Sequence, residues 1–230
     1  MNHPTSQPMA DVRDMYMVHT FLSREFGLLP QLVRDVAPGD TARAEVVGSH
    51  AALLCSILHK HHEGEDLHLW PRLQERAAAQ AAAIVPRMEA QHHAIEAVNT
   101  VILALLPQWR RTAHNGDGLA DALEQLHSVL MEHMALEEQE ILPLAASHLT
   151  AAEWKLLGEH SMSDTPKKHL PVAFGMAMYE ADPDVIKTVL AGAPLPARLL
   201  MPFIGPRVYA AHAKRVHGTA TPPTVGRRHP

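Results

Sequence analysis

The stretch His59-Lys60-His61-His62-Glu63-Gly64-Glu65-Asp66-Leu67-His68-Leu69-Trp70-Pro71 decides how this chain is read. On a helix, residues four apart share a face, so His61 and Glu65 project side by side and can meet one metal ion. A lone His-x-x-x-Glu describes many solvated surface pairs. Here the device recurs: His133 precedes Glu137 at the same spacing, and Pro143 stands to His133 as Pro71 stands to His61. The flanks Leu69-Trp70-Pro71-Arg72-Leu73 and Ile141-Leu142-Pro143-Leu144 also match. Two helices carrying one device in one register point to a shared metal site.

Apolar periodicity places these helices among others. A first helix is expected over about residues 8–36, from Met15, Val18, Phe21, Leu22, Phe26, Leu29 and Val33, with Gly27 and Pro30 bending or dividing it. His19 lies inside its stripe. The second helix is expected over 41–77, capped by Asp40 or Thr41 and kinked at Pro71. Gly64 costs it about 1 kcal/mol relative to alanine, a broken local rule of the kind that gathers at functional sites. The third is expected over 85–113, with Pro86 in its first turn. His92 falls on its stripe with Met88, Ile95 and Ile102; His93 lies about 100° round and is the less favoured ligand. Glu89 and Glu96 read as surface carboxylates. After the loop Asn115-Gly116-Asp117-Gly118, a fourth helix is expected over 118–148 with His133 and Glu137 inward and Glu138 as the alternative to Glu137. Long helices joined by short connections predict an all-α, antiparallel up-down-up-down four-helix bundle over 1–150.

Beyond it, Thr150-Ala151-Ala152-Glu153 is a capping box that opens a short helix ending near Gly158. Prolines then punctuate a C-terminal helical extension over 151–218. The apolar and basic stretch from Arg198 to Arg215 reads as helix packed on the bundle, or against a second subunit in a homo-oligomer, rather than as a membrane-surface segment. Residues 219–230, with His229, read as a disordered tail, and His3 and His217 as tail histidines.

Composition narrows the function. The 230 residues include 18 His, far above ordinary usage, while the net charge of -5 offers no basic footprint for nucleic acid. Histidine is the commonest metal ligand. Cys55 is the only cysteine, so there is no intrachain disulfide and no thiolate zinc site. Residues 1–14 lack the pattern of a signal peptide and no apolar run could span a bilayer, so a soluble cytoplasmic protein is expected.

The order His19, His61-x-x-x-Glu65, His92, His133-x-x-x-Glu137 resembles the hemerythrin-like family, also called the HHE cation-binding domain, over roughly residues 8–148. The resemblance implies a non-haem di-iron centre in a four-helix bundle: two irons, bridged by Glu65 and Glu137, with the four imidazoles terminal. Manganese or zinc are alternatives for nitrogen and oxygen ligands without sulfur. The chain departs from the oxygen carriers, which use five histidines, two of them at His-x-x-x-His spacing on the third helix. Here Met88 and Glu96 flank His92 instead. The carriers' fourth-helix carboxylate spacing picks Glu138; the shorter spacing picks Glu137. Four imidazoles leave more positions for O2, peroxide or nitric oxide. The expected function is a di-iron protein that binds or decomposes such small oxidants, with Tyr16 one turn from His19. The alternatives are an iron or oxygen sensor or metal store, and an oxygenase whose extension roofs an organic substrate.

Overall fold

The computed structural model describes residues 7–163, 166 and 168–229; His3 lies outside them. The first stripe becomes α1 (Arg13–Arg34), one helix with Gly27 and Pro30 inside it rather than two. Burial of Phe26, Leu29 and Val33 around the proline holds it together. The next helix, α2 (Thr41–His68), starts at Asp40, whose carboxylate accepts from Arg43 N–H at 2.9 Å. It breaks at Leu69, and α3 (Trp70–Arg76) follows with Pro71 in its first turn, as the kink required. The long α4 (Ala78–Thr112) begins earlier than expected and keeps Pro86 in its interior. The alanine run before Pro86 is strong helix former, and it outweighs the bond the proline cannot make. Ala113, left-handed at φ 50°, ends the helix. The fourth helix runs as α5 (Asp117–Leu136), a π-helical turn (Glu137–Ile141) and α6 (Leu142–His148).

In the bundle, α1 packs against α2 and α5, and α4 against the same two. Neighbours run in opposite directions: His19 meets His61 while Glu25 meets His50, and His92 meets His133 while Trp109 meets Gly116. Two apolar cores form. One holds Phe21, Phe26, Leu58, Ile95 and Leu130; the other holds Tyr16, Leu69, Trp70, Met88 and Ile141. His19, His61, His92 and His133 each fall in sequence between members of the two cores. A polar layer therefore crosses the bundle between two dry ones.

The extension covers one side. Thr150 and Glu153 make the expected capping box, and α7 (Ala151–Ser163) runs past Gly158 to lie on α2. Gly64 allows this: a Cβ there would sit 3.3 Å from Ser161 Oγ and 3.4 Å from the Leu157 carbonyl. Then come α8 (Leu170–Met178), α9 (Pro183–Ala191) and α10 (Leu195–His217), the last longer than its prolines suggested. α10 crosses α8 at Gly175, where a Cβ would collide with the Gly205 carbonyl. The buried Arg24 guanidinium ties α1 to α8 through Glu180 at 2.7 Å and the Met176 carbonyl at 2.8 Å, beneath the Tyr179 and Tyr209 rings. Leu199, Leu200 and Phe203 of α10 stay exposed.

The expectation of a disordered tail is corrected for residues 219–229. The Val225 and Gly226 amides donate to Glu180 Oε1 at 3.0 Å each, and Arg228 donates to Glu138 at 2.9 Å. Hydrogen bonds and charge, not apolar burial, hold this segment. No helix among the described residues is long and apolar enough to cross a membrane.

Candidate metal centre

Each bundle helix contributes to the polar layer. His19 comes from α1, His61, His62 and Glu65 from α2, His92 from α4, His133 from α5 and Glu137 from the π turn, all buried. Glu65 divides its two oxygens: Oε1 lies 3.2 Å from His61 Nε2, and Oε2 lies 3.2 Å from His92 Nε2. Glu137 Oε2 lies 3.2 Å from His19 Nε2 and 3.8 Å from His133 Nε2. Both carboxylates thus stand between two sets of imidazoles, His19 with His61 on one side and His62, His92 and His133 on the other. Ligand atoms of His62, Glu65, His92 and His133 all lie within 4.8 Å of one another.

The outer nitrogens are already engaged, and that fixes the rings. His92 Nδ1 meets Asp66 Oδ1 at 2.7 Å, and Trp70 Nε1–H donates to the same oxygen at 2.7 Å. His19 Nδ1 meets Glu138 Oε1 at 2.8 Å, and His133 Nδ1 meets Gln91 Oε1 at 3.4 Å. With Nδ1 donating outward, each Nε2 faces inward, where loss of its proton frees a lone pair for a metal, the arrangement typical of metal-ligating histidines. His92 and His133 Nε2 face each other at 3.3 Å. Among the described residues, His19, His61 and His62 Nε2 and both oxygens of Glu65 and Glu137, seven buried atoms, have no hydrogen-bond partner. Buried polar groups are otherwise almost always satisfied. They converge from α1, α2 and the π turn of the fourth helix, and such a set of bare donors fits metal binding.

Electrostatics agree. Burial and the facing Glu137 carboxylate push Glu65 up to about 7. Burial opposes the charged form of His19 and of His92, but Glu137 and Glu138 outweigh it for the first, and Asp66 and Glu65 for the second; both rise to about 9. Burial and neighbouring imidazoles drive His61 down to about 3 and hold His62 and His133 well below the ordinary range. Without metal the layer stores protons on some groups and neutralises others. Deprotonated, it offers five neutral imidazoles and two carboxylates.

The expected residues His19, His61, Glu65, His92, His133 and Glu137 are brought together. Of the two alternatives, His93 is exposed and Glu138 turns outward to His19 Nδ1 and Arg228. A π turn begins at these two residues, with Glu137 inside the layer and Glu138 against the outer nitrogen of His19. The Leu142 amide bonds back to the Glu137 carbonyl, adding one residue to the turn just before Pro143, which lacks the N–H to continue the α pattern. His62 was not among the expected residues, and the structure places its ring in the layer as a fifth imidazole. Its ring stacks on His92 with centroids 4.1 Å apart. The signal was the doublet His61-His62: a helix packed between two neighbours buries an arc wide enough for adjacent positions.

A second histidine–carboxylate group differs. Glu25 Oε2 lies 3.1 Å from His50 and 3.0 Å from His217, and its Oε1 accepts from Tyr209 at 2.6 Å and from Arg24 at 3.0 Å. Every ligand atom there has a partner, and a guanidinium sits beside it. This is a satisfied network that fastens α10 to the bundle, and it places His217 in the structure rather than in a tail.

Neither the curated proteins nor the solved structures gave a significant match to the chain. The family model for the hemerythrin HHE cation binding domain matches residues 10–145, more than half the chain. That span ends inside α6 and contains every residue of the polar layer. The chain belongs to the hemerythrin HHE cation binding domain family.

Proposed function

We propose that this protein holds two iron ions in the polar layer and uses them to bind a small oxidant: O2, hydrogen peroxide or nitric oxide. The observation that carries the reading is the set of seven unpartnered buried atoms converging from α1, α2 and the π turn of the fourth helix. One ion would be held by His19 and His61, the other by His62, His92 and His133, with Glu65 and Glu137 shared. Nitrogen and oxygen donors without sulfur favour iron or manganese, with zinc as an alternative. Bound iron would supply electrons to, or accept them from, the small ligand.

The chain's own groups do the rest. Two carboxylates leave a pair of divalent ions with net positive charge, which favours an anionic or electron-accepting ligand. The side with two imidazoles has fewer protein donors than the side with three, so an external ligand is expected beside His19 and His61. Apolar cores above and below keep water from the layer. Burial, then Glu138 and Glu137, raise the Tyr16 phenol, keeping its O–H protonated and able to donate.

Peroxide decomposition is the activity to test. Iron-reconstituted protein should consume peroxide, and His61→Ala should abolish the consumption. Metal-loaded protein inert to peroxide would leave binding without turnover, the behaviour of a sensor or store. The exposed stripe Leu199, Leu200 and Phe203 is where a homo-oligomer through the C-terminal helices would form; sedimentation of Phe203→Glu against wild type tests it.

A further inference from the structure

A cavity of about 170 Å³ lies where the C-terminal helices α7, α8 and α9 cross α1 and α2. Phe21 and Ile57 line it from the bundle, and Leu157, Phe174 and Val189 from the extension. The imidazole of His61 forms part of the same wall. The cavity opens on one side to solvent, and its mostly apolar walls hold water poorly, so an apolar molecule can displace that water. The three roofing helices begin beyond residue 145, so they are this chain's own addition to the matched family region. The extension and the metal layer thus meet in one place.

Polar groups at the cavity are few. Asp14 lines it, and its carboxylate accepts a hydrogen bond from Trp154 Nε1–H at 2.9 Å, which leaves other lone pairs free for a donor. Burial pushes Asp14 up to about 6, so it is mostly ionised at neutral pH and would repel an anion. Size sets the rest, since an apolar cavity of roughly 150 Å³ accepts benzene.

We propose that this cavity binds a small, largely hydrocarbon molecule of about six to ten non-hydrogen atoms, with one alcohol or amine head on Asp14 and its body against His61. The binding stands on the cavity alone; its meaning, an organic molecule seated beside the metal pair, rests on the function proposed above.

The test is calorimetric titration of benzyl alcohol into the full-length, metal-free chain, with benzoate as the anionic comparison. Saturable one-to-one binding is expected, with benzoate weaker by about tenfold or more. Ala173→Phe and Gly158→Leu should each weaken benzyl alcohol by about tenfold; both positions line the cavity, and a Cβ at Gly158 meets nothing within 4 Å. Circular dichroism checks that the variants fold. A readout needing no substitution is the methyl spectrum of wild type, in which Ile57, Leu157 and Val189 should shift while Leu119 and Leu123, in the core away from the cavity, should not. No saturable binding, methyl shifts that ignore the cavity, or unchanged affinity in both folded variants would overturn the proposal. Benzoate binding as tightly as the alcohol would overturn the role of Asp14. Iron uptake, measured separately on the same protein, tells failure of the metal reading from failure of the cavity.

Discussion

Replacing Glu65 by glutamine should stabilise the metal-free protein and weaken the metal-loaded one. In the folded chain, burial and Glu137 raise the Glu65 carboxyl to about 7 from an ordinary value of 4.5. Below the ordinary value both folded and unfolded chains are protonated there, and Glu65 carries no penalty. Between about 4.5 and 7 the unfolded chain gives up its proton while the folded chain keeps it, so stability falls across that window and levels off above it, by roughly 3 kcal/mol at most. Glutamine keeps the shape and removes the charge. It also takes an anionic partner from His92, 3.2 Å away, although Asp66 at 2.7 Å remains. The net gain at pH 8 should be about 2 kcal/mol, or about 4–8 °C in Tm for a chain of this size. At pH 4.5 it should shrink toward zero. With iron the sign reverses, because the neutral amide cannot bridge two cations and ligand-linked stabilisation falls. Thermal unfolding with chelator and with ferrous iron, at both pH values, measures all four quantities. Destabilisation by Glu65→Gln in chelator at pH 8 would refute the reasoning.

Other consequences follow from separate parts of the structure. His19 and His92, both raised to about 9, are protonated at pH 7 and must lose those protons to bind metal; iron loading there should release about two protons or more, read with a pH indicator, and affinity should climb until about pH 9. Glu138→Gln removes the carboxylate that orients His19 Nδ1 at 2.8 Å and should lower metal affinity by about 10–100-fold with little change in fold; competition with a chromophoric chelator would show it. Gly175→Ala pushes a methyl into the Gly205 carbonyl and to 2.8 Å from Tyr209 Cβ, and should cost about 1–3 kcal/mol in chemical denaturation.

Sequence periodicity carried the bundle a long way. His19, His61, Glu65, His92, His133 and Glu137 sit on inward stripes, and each stripe's phase is set by large apolar neighbours one turn away. Three things escaped it. His62 is buried because its ring stacks on His92 of α4, a fact of assembly; the same doublet at His92-His93 buries only one ring. The π turn is an added residue in backbone hydrogen bonding, to which side-chain spacing is nearly blind, and so Glu137 and Glu138 could not be told apart. The segment 219–229 has the composition of a tail because Glu180 and Glu138 hold it by hydrogen bonds. At Pro86 the balance runs the other way: alanine propensity and packing carry α4 through a proline that local pattern places at a helix start. Gly64 is explained by the approach of α7, a contact no local pattern encodes.

The most direct test of the central claim is metal stoichiometry. The full-length chain, purified without chelator and reconstituted anaerobically with ferrous iron, is washed free of loose metal and analysed for elemental content. About two metal ions per chain are expected, and about one or fewer when Glu65 and Glu137 are both replaced by alanine. A chain that retains no metal, or that holds the same amount after the double substitution, would contradict the claim.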